Sequence, residues 1–390
     1  MKISPEKARR VLSHLHGFDS LGRGEEKTAE LFSKIPCVQV DPINPGGRNH
    51  DLTLFSRIED YDPEYLSKLL YEENLLFEYY CKMLSILPME YYPVLKVEMG
   101  RQYEKHRDVF KEHSEEIGFI LEEMEREPLS SLELRDMGES RKESWRSKKL
   151  AHRLLRVLWL SGEIMIHHRE GRRKYYTLAK EVVPEEIHDE QIDEDEYEKN
   201  IAKIIVKSSK LVSPSKASAQ WTKIGGVRDV KEALDGLKDE GKIFSLEVDG
   251  WKGDLYACEE ERDHWEESPD IDDPYLRFLA PLDPLLWNRE LFSTVFEHEY
   301  IWEVYKPKED RIYGHYCLPI IFNDAYVGLF EPYLDGDVLN IRYFHLFDDL
   351  DQNDFSEHFK KELGRYMGFL GAEDIMIDTS NRILRKMIGS

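Results

Sequence analysis

Gln39 and Asp41 are the side chains in this sequence whose types and spacing best suit chemistry. They stand in the stretch Cys37-Val38-Gln39-Val40-Asp41-Pro42-Ile43-Asn44-Pro45-Gly46-Gly47-Arg48-Asn49-His50-Asp51-Leu52. Val38 and Val40 alternate with them, and period-two alternation puts Gln39 and Asp41 on one side of an extended chain. Pro42 biases Asp41 towards the extended region and ends any helix before it. An amide and a carboxylate about 7 Å apart on one face are the parts needed to orient one water and take its proton. A polar strand end leading into a loop would carry the same letters. Pro45-Gly46-Gly47 reads as a flexible turn. It lacks the spacing of a dinucleotide loop and the Lys-Ser/Thr of a Walker loop. Arg48 beside it is a candidate phosphate contact. No lysine lies in the stretch, so Schiff-base chemistry is not indicated.

The elements around this stretch begin with two short helices, 4–16 and 25–35, the first capped by Ser4 with Pro5 in its first turn. A third helix is predicted over 62–75 with Asp62 as its cap. A long, charged, solvated helix is predicted over 88–127. Two helices followed by an extended piece fit a helix-turn-helix or winged-helix unit.

The middle of the chain repeats itself. Residues 150–178 read as a helix (Leu150, Leu154, Leu155, Leu158), then Gly162-Glu163-Ile164, then a hairpin with Glu170-Gly171 at its tip. Residues 229–257 read the same way, through Val230, Ala233, Leu234 and Leu237, Gly241-Lys242-Ile243 and Asp249-Gly250. The helix-ending and hairpin glycines are nine residues apart in both copies. A glycine cap feeding a strand pair is the helix–wing half of a winged helix. From about 276 the pattern turns strand-rich, with strands predicted over 299–306, 312–322, 325–333 and 337–347 and a closing helix over 354–368. Tight turns between short strands predict a small antiparallel barrel. The 305–313 segment, with Lys306, Lys308 and Arg311 around its turn and Tyr305 and Tyr313 at its base, is predicted to be a hairpin that enters a minor groove. Asp283 and Arg289 are expected to pair at the barrel edge.

Charge sharpens this picture. The net charge of −24 argues alone against a polyanionic partner. Yet residues 144–180 carry ten Lys/Arg against two Glu, and 184–199 carry nine Asp/Glu against one Lys. A basic face therefore survives on an acidic chain. Lys148, Lys149, Arg153 and Arg156 lie on the first copy's helix, and Arg169, Arg172, Arg173 and Lys174 on its wing, interleaved with Tyr175 and Tyr176. The second copy has eight acids against four Lys over 229–256, so only the first suits phosphates. No apolar run is long enough to span a membrane, and Met1–Glu6 lacks an apolar signal core. The four separated cysteines read as reduced thiols, no Cys/His spacing suits zinc, and a cytoplasmic location is expected.

Three blocks of the sequence together resemble the winged-helix DNA glycosylases of the YcaQ and AlkZ type. The first is Val38-Gln39-Val40-Asp41-Pro42-Ile43-Asn44, with Arg48 and Asp51-Leu52-Thr53-Leu54-Phe55-Ser56-Arg57 close behind. The second is Leu279-Ala280-Pro281-Leu282-Asp283-Pro284-Leu285-Leu286-Trp287-Asn288-Arg289. The third runs from Tyr305-Lys306-Pro307 through Arg311-Ile312-Tyr313-Gly314-His315-Tyr316-Cys317-Leu318-Pro319. The family resemblance implies removal of alkylated purines and unhooking of interstrand crosslinks. It has Gln-apolar-Gln and Gln-apolar-Asp variants, and Gln39-Val40-Asp41 resembles the second. The chain departs from the pattern at Glu78-Tyr79-Tyr80-Cys81-Lys82-Met83, where Lys82 and Met83 stand in place of a His-Glu pair; if that pair helps bind DNA or the lesion in the family, the substrate range of this chain is open.

The reading that results is an α+β chain of tandem winged-helix (helix-turn-helix) units followed by a small C-terminal antiparallel β-barrel. Its expected segments are 1–130 (catalytic stretch and helical extension), 131–183 (basic winged helix), 184–199 (acidic linker), 200–270 (third winged helix) and 271–390 (barrel). The expected activity is that of a monofunctional, monomeric DNA glycosylase on damaged double-stranded DNA, without cofactor or metal. Gln39 and Asp41 would hold and activate water. Arg48, Lys148, Lys149, Arg153, Arg172, Arg173, Lys308 and Arg311 would bind DNA. A non-catalytic winged-helix regulator and a protein-interaction scaffold remain open at this point.

Overall fold

The computed structural model describes residues 1–141, 148–215, 219–221, 227–271, 273–347, 352–377, 384–385 and 387, with the side chains of 138–141, 148 and 352–353 excepted. The chain forms two compact units. One comprises Met1–Tyr65, Ala202–Thr222 and Val227–Ser390, and the other Leu66–Ile201 and Lys223–Gly226.

In the first unit the helix Pro5–Leu15 starts as its sequence dictates. Ser4 Oγ accepts a hydrogen bond from Lys7 N–H (3.2 Å), with Pro5 at the first helical position. Its Ala8, Val11 and Leu12 join a core completed by Phe244, Leu246, Leu279, Leu291, Phe292 and Leu329. A five-stranded sheet follows the order Asp374–Ile377, Val338–Leu346, Ala325–Asp335, Leu318–Phe322, Leu276–Phe278. Its first pair is parallel and the rest antiparallel. The helix Gln352–Leu370 covers it. Phe355, Phe359, Leu363 and Tyr366 recur at helical spacing and are all buried. Phe359 and Tyr366 meet Phe278 and Phe330 edge-on, with ring centroids 5.5–6.4 Å apart.

This sheet differs from the expected barrel. Among the described residues no pairing joins Asp374–Ile377 to Leu276–Phe278, so the sheet is open. The strands predicted over 299–306 and within 312–317 are also absent, and the first strand after the helix Arg289–Phe296 starts at Leu318.

The second unit holds the hairpin Leu76–Cys81/Met83–Pro88 and the helices Tyr92–Lys105, Arg107–Glu112 and Ser114–Met124. The single helix expected over 88–127 is thus three, broken at His106 and His113, whose backbone leaves the helical region (ψ +12° and +32°). Helices Ser131–Arg141 and Lys148–Leu160, the hairpin Ile164–Glu170/Arg173–Leu178 and helix Ala179–Val182 follow, and the 184–199 segment expected as a linker carries the helix Glu185–Asp189 and the start of the helix Glu194–Ser209.

The sequence repeat is real in three dimensions. Helix Val230–Asp239 with hairpin Ile243–Val248/Leu255–Cys258 in the first unit repeats the local structure of 148–178 in the second. Gly162 and Gly241 both take left-handed φ, +74° and +66°. The following residues close the same turn, Glu163 N to Leu158 O (3.0 Å) and Lys242 N to Leu237 O (2.9 Å). Each hairpin also receives one bridging residue from upstream, Leu129 on Tyr176 and Val212 on Tyr256. The sequence pattern carried no sign of these bridges, because a single residue has no periodicity. All four cysteines are buried. Among the described residues no helix is long and apolar enough to cross a membrane.

Candidate active site

Gln39 ends the short strand Val38–Gln39, and Asp41 follows it into a loop. Gln39 is buried and Asp41 half-buried. The Gln39 carbonyl accepts a hydrogen bond from Asn49 Nδ2 (2.8 Å), while Asn49 Oδ1 accepts one from Leu282 N–H (2.9 Å). Asn49 opens the helix Asn49–Phe55 and thereby ties the strand to the 279–289 block. Asp41 Oδ1 accepts the N–H of Ile43 (2.8 Å), an Asx turn that fixes the carboxylate. Its other oxygen has no protein donor among the described residues. Burial raises the carboxyl above the usual aspartate range, against the opposing pull of the Ile43 N–H and of His50.

The glycine turn is not flexible, as its composition implied, but clamped. Leu334 N–H donates to Pro45 O (2.7 Å), and the Tyr366 hydroxyl donates to Gly46 O. A Cβ on Gly46 would lie 2.7 Å from Tyr366 Oη and 2.8 Å from Pro332 Cγ. Gly47 has φ +105°, and a Cβ there would meet Leu52 at 2.8 Å. Both glycines are therefore required by close approach of the loop to the sheet and its covering helix. Next to the loop, Asp51 accepts the Tyr61 hydroxyl (2.8 Å) and lies 3.7 Å from His50 Nε2. Arg48 is exposed.

Behind the helix Asn49–Phe55, Arg57 and Asp283 form a buried two-pronged ion pair (2.7 and 2.9 Å), their side chains 1% and 0% exposed. Arg57 also donates to Thr53 O and Ser56 Oγ and approaches His16 Nδ1 at 3.1 Å. Burial, followed by the Arg57 charge, drives His16 well below its usual range, so it is held neutral. The expected Asp283–Arg289 pair is not formed. Arg289 lies over the Tyr300 ring instead, 5.7 Å from its centroid.

The 305–313 segment is not a hairpin. Pro307 and a short turn over Lys308–Asp310 leave its amides without strand partners, and a carboxylate gathers them. Glu303 accepts N–H groups from Ile312 (2.9 Å), Tyr313 (2.7 Å) and Gly314 (3.3 Å), and Lys306 Nζ (2.9 Å). Burial alone would raise its pKa, but these donors hold it at about 2. Tyr305 and Ile312 project outward, 83% and 62% exposed, beside exposed Lys308. Arg311 is half-buried and donates to Lys306 O (2.9 Å).

In the second unit Lys149, Arg153 and Arg156 are exposed along one face of their helix, with Arg172 and Arg173 at the hairpin tip. The Lys148 side chain lies outside the described residues. Not every basic residue of the segment is free. Arg169 forms a partly buried two-pronged pair with Glu78, which also accepts the Tyr71 hydroxyl (2.8 Å). Lys174 lies over Trp159, 4.5 Å from its ring centroid, and burial lowers its ammonium to about 8. Tyr175 and Tyr176 are buried, so they support the hairpin rather than face a ligand. His106 joins the basic face unannounced. Burial and then the charges of Lys105, Arg156 and Arg153 lower it. Lys82 sits between the paired Cys81 and Met83 and is buried, and Met83 adopts φ +60°. Among the described residues no three His, Cys, Asp or Glu side chains are grouped to hold a metal.

An anchored carboxylate with a buried glutamine two residues before it, and an exposed basic helix elsewhere on the chain, are the equipment of a hydrolase that works on a polyanion. The chain belongs to the AlkZ-like DNA glycosylase family, whose model matches residues 5–369, and it is a DNA glycosylase. Its fold is similar to that of the DNA glycosylase AlkZ of Streptomyces sahachiroi, with a TM-score of 0.65 at 14% identity over 97% of this chain and 100% of the other. Family membership sets aside the non-catalytic regulator and the scaffold.

Proposed function

We propose that this protein is a monofunctional glycosylase that hydrolyses the N-glycosidic bond of N7-alkylated purines in duplex DNA, including those joined as interstrand crosslinks. The observation that carries this reading is the state of Asp41. One oxygen is locked by the Ile43 N–H, the other has no protein donor among the described residues, and burial makes the carboxylate a stronger base than a solvated one.

An N7-alkylated purine already carries positive charge and leaves without being protonated. The enzyme must supply a placed water and negative charge beside an oxocarbenium-like sugar. Asp41 takes the proton of the water and stabilises that cation, and Gln39 fixes the same water. The helix–hairpin units act as winged helices. Lys149, Arg153, Arg172 and Arg173, with Lys148, hold the phosphates, and Arg48 does so beside the site. Tyr305 and Ile312, flanked by Lys308 and Arg311, meet the groove next to the lesion. The enzyme acts as a cytoplasmic monomer without cofactor.

Asp41→Asn is expected to slow release of N7-methylguanine from duplex DNA by about 10²–10⁴-fold and to leave DNA affinity unchanged. Unhooking of a crosslinked duplex should fall in parallel. Undiminished release by the variant would refute the catalytic assignment.

A further inference from the structure

Three buried phenols bear on residues 41–51 by hydrogen bond or by charge, and two are committed. Tyr61 donates to Asp51 (2.8 Å) and Tyr366 to Gly46 O. The third, Tyr316, is 1% exposed, and its hydroxyl has no hydrogen-bond partner in the protein among the described residues. Its backbone is fixed, since the N–H groups of His315 (2.6 Å) and Tyr316 (3.4 Å) both reach Glu331 Oε1. The charges that bear on the phenol are those of Asp41 and Asp51, and Tyr366 is within its field in turn. Glu331 stands next to Pro332 in the strand on which the Asp41 loop packs, where a Cβ on Gly46 would lie 2.8 Å from Pro332 Cγ and Leu334 N–H donates to Pro45 O (2.7 Å), so Tyr316 is anchored to the strand that the loop touches. A buried hydroxyl without a partner costs stability, and a phenylalanine would fill the same volume without that cost. Burial and the two carboxylates together push the phenol above its ordinary value, so it keeps its proton and can only offer it.

We propose that Tyr316 is a third side chain of the water site, whose hydroxyl donates a hydrogen bond to the oxygen of the water that Asp41 deprotonates. This rests on the assignment of Asp41 as the base. The water gives one proton to the Asp41 carboxylate, accepts the Tyr316 O–H on one lone pair, and attacks the anomeric carbon with the other. The glycosidic electron pair leaves with the alkylated purine.

The test is single-turnover release of N7-methylguanine by Tyr316→Phe, Asp41→Asn and the double variant, with DNA affinity and melting temperature measured for each. Tyr316→Phe should slow release by about 10²-fold, with unchanged affinity and a melting temperature equal to or above the parent's. The double variant should be no slower than Asp41→Asn alone, because both groups act on one water. Parental release by Tyr316→Phe alongside an impaired Asp41→Asn overturns this inference and leaves the assignment of Asp41 standing. Parental release by Asp41→Asn sinks that assignment itself. A lowered melting temperature, or losses that multiply in the double variant, would make Tyr316 a structural residue and also overturn the inference.

Discussion

Asp41 is the residue on which a pH measurement bears most directly. The base proposed at this position works only when ionised, and the Asp41 pKa in the folded protein is raised above the ordinary 3.8 by burial. The acid limb of kcat/KM should therefore lie at higher pH than that of a solvated aspartate, with activity rising as pH climbs through it. His50 opposes the shift with its charge, so His50→Gln should move the limb further up. A pH–rate profile that stays level down to pH 4 would contradict this. Gln39 and Asp41 stand out as candidates because the signal is local: two polar residues at period two, then a proline. The partners around them do not stand out. Asp283 was matched to Arg289, six residues away, whereas the fold matches it to Arg57 across 226 residues. Tyr316 lay within a recognisable block, but a tyrosine in an apolar run reads as core until its hydroxyl is seen to lack a partner.

Elements show the same division between local and distant causes. Helix starts, glycine caps and both helix–hairpin repeats could be read from the chain, since each depends on residues within one or two turns. The 305–313 segment was misread because its amides are satisfied by a carboxylate, Glu303, and not by a facing strand. Nothing in a run of letters says which acceptor a backbone will choose. The loop after Asp41 was likewise misread as flexible, for its glycines serve close approach to Tyr366, Pro332 and Leu52. Gly46→Ala should therefore behave as an overpacking substitution, with a stability loss of about 1–3 kcal/mol. It should also displace Asp41 and slow base release by about 10²-fold. Thermal melting and single-turnover release would check this. A variant with parental stability and rate would mean that the loop tolerates movement and that its clamping is incidental.

For the molecule as a whole, the question is how a chain of net charge −24 holds DNA. Binding to a phosphate backbone depends on local potential, not on the sum, because charges beyond about 8–10 Å are screened at moderate salt. The exposed Lys149, Arg153 and Arg156 share one helix face, with His106 in the field of the two arginines. The acids of 184–199 count in the total but form a separate run of the sequence. The net charge averages over surfaces, whereas the segregation of sign along the sequence leaves room for a basic face. If Arg153 and Arg156 each neutralise one phosphate, the logarithm of the binding constant should fall with the logarithm of salt concentration less steeply in Arg153→Ala/Arg156→Ala. The slope should drop by about 1.8, at about 0.9 per lost contact. Base release at saturating DNA should keep its parental rate, since neither arginine belongs to the water site. Fluorescence anisotropy titrations at several salt concentrations measure the slope directly. An unchanged slope would move the DNA-binding surface off this helix, and a lost catalytic rate at saturation would mean that the helix does more than hold phosphates.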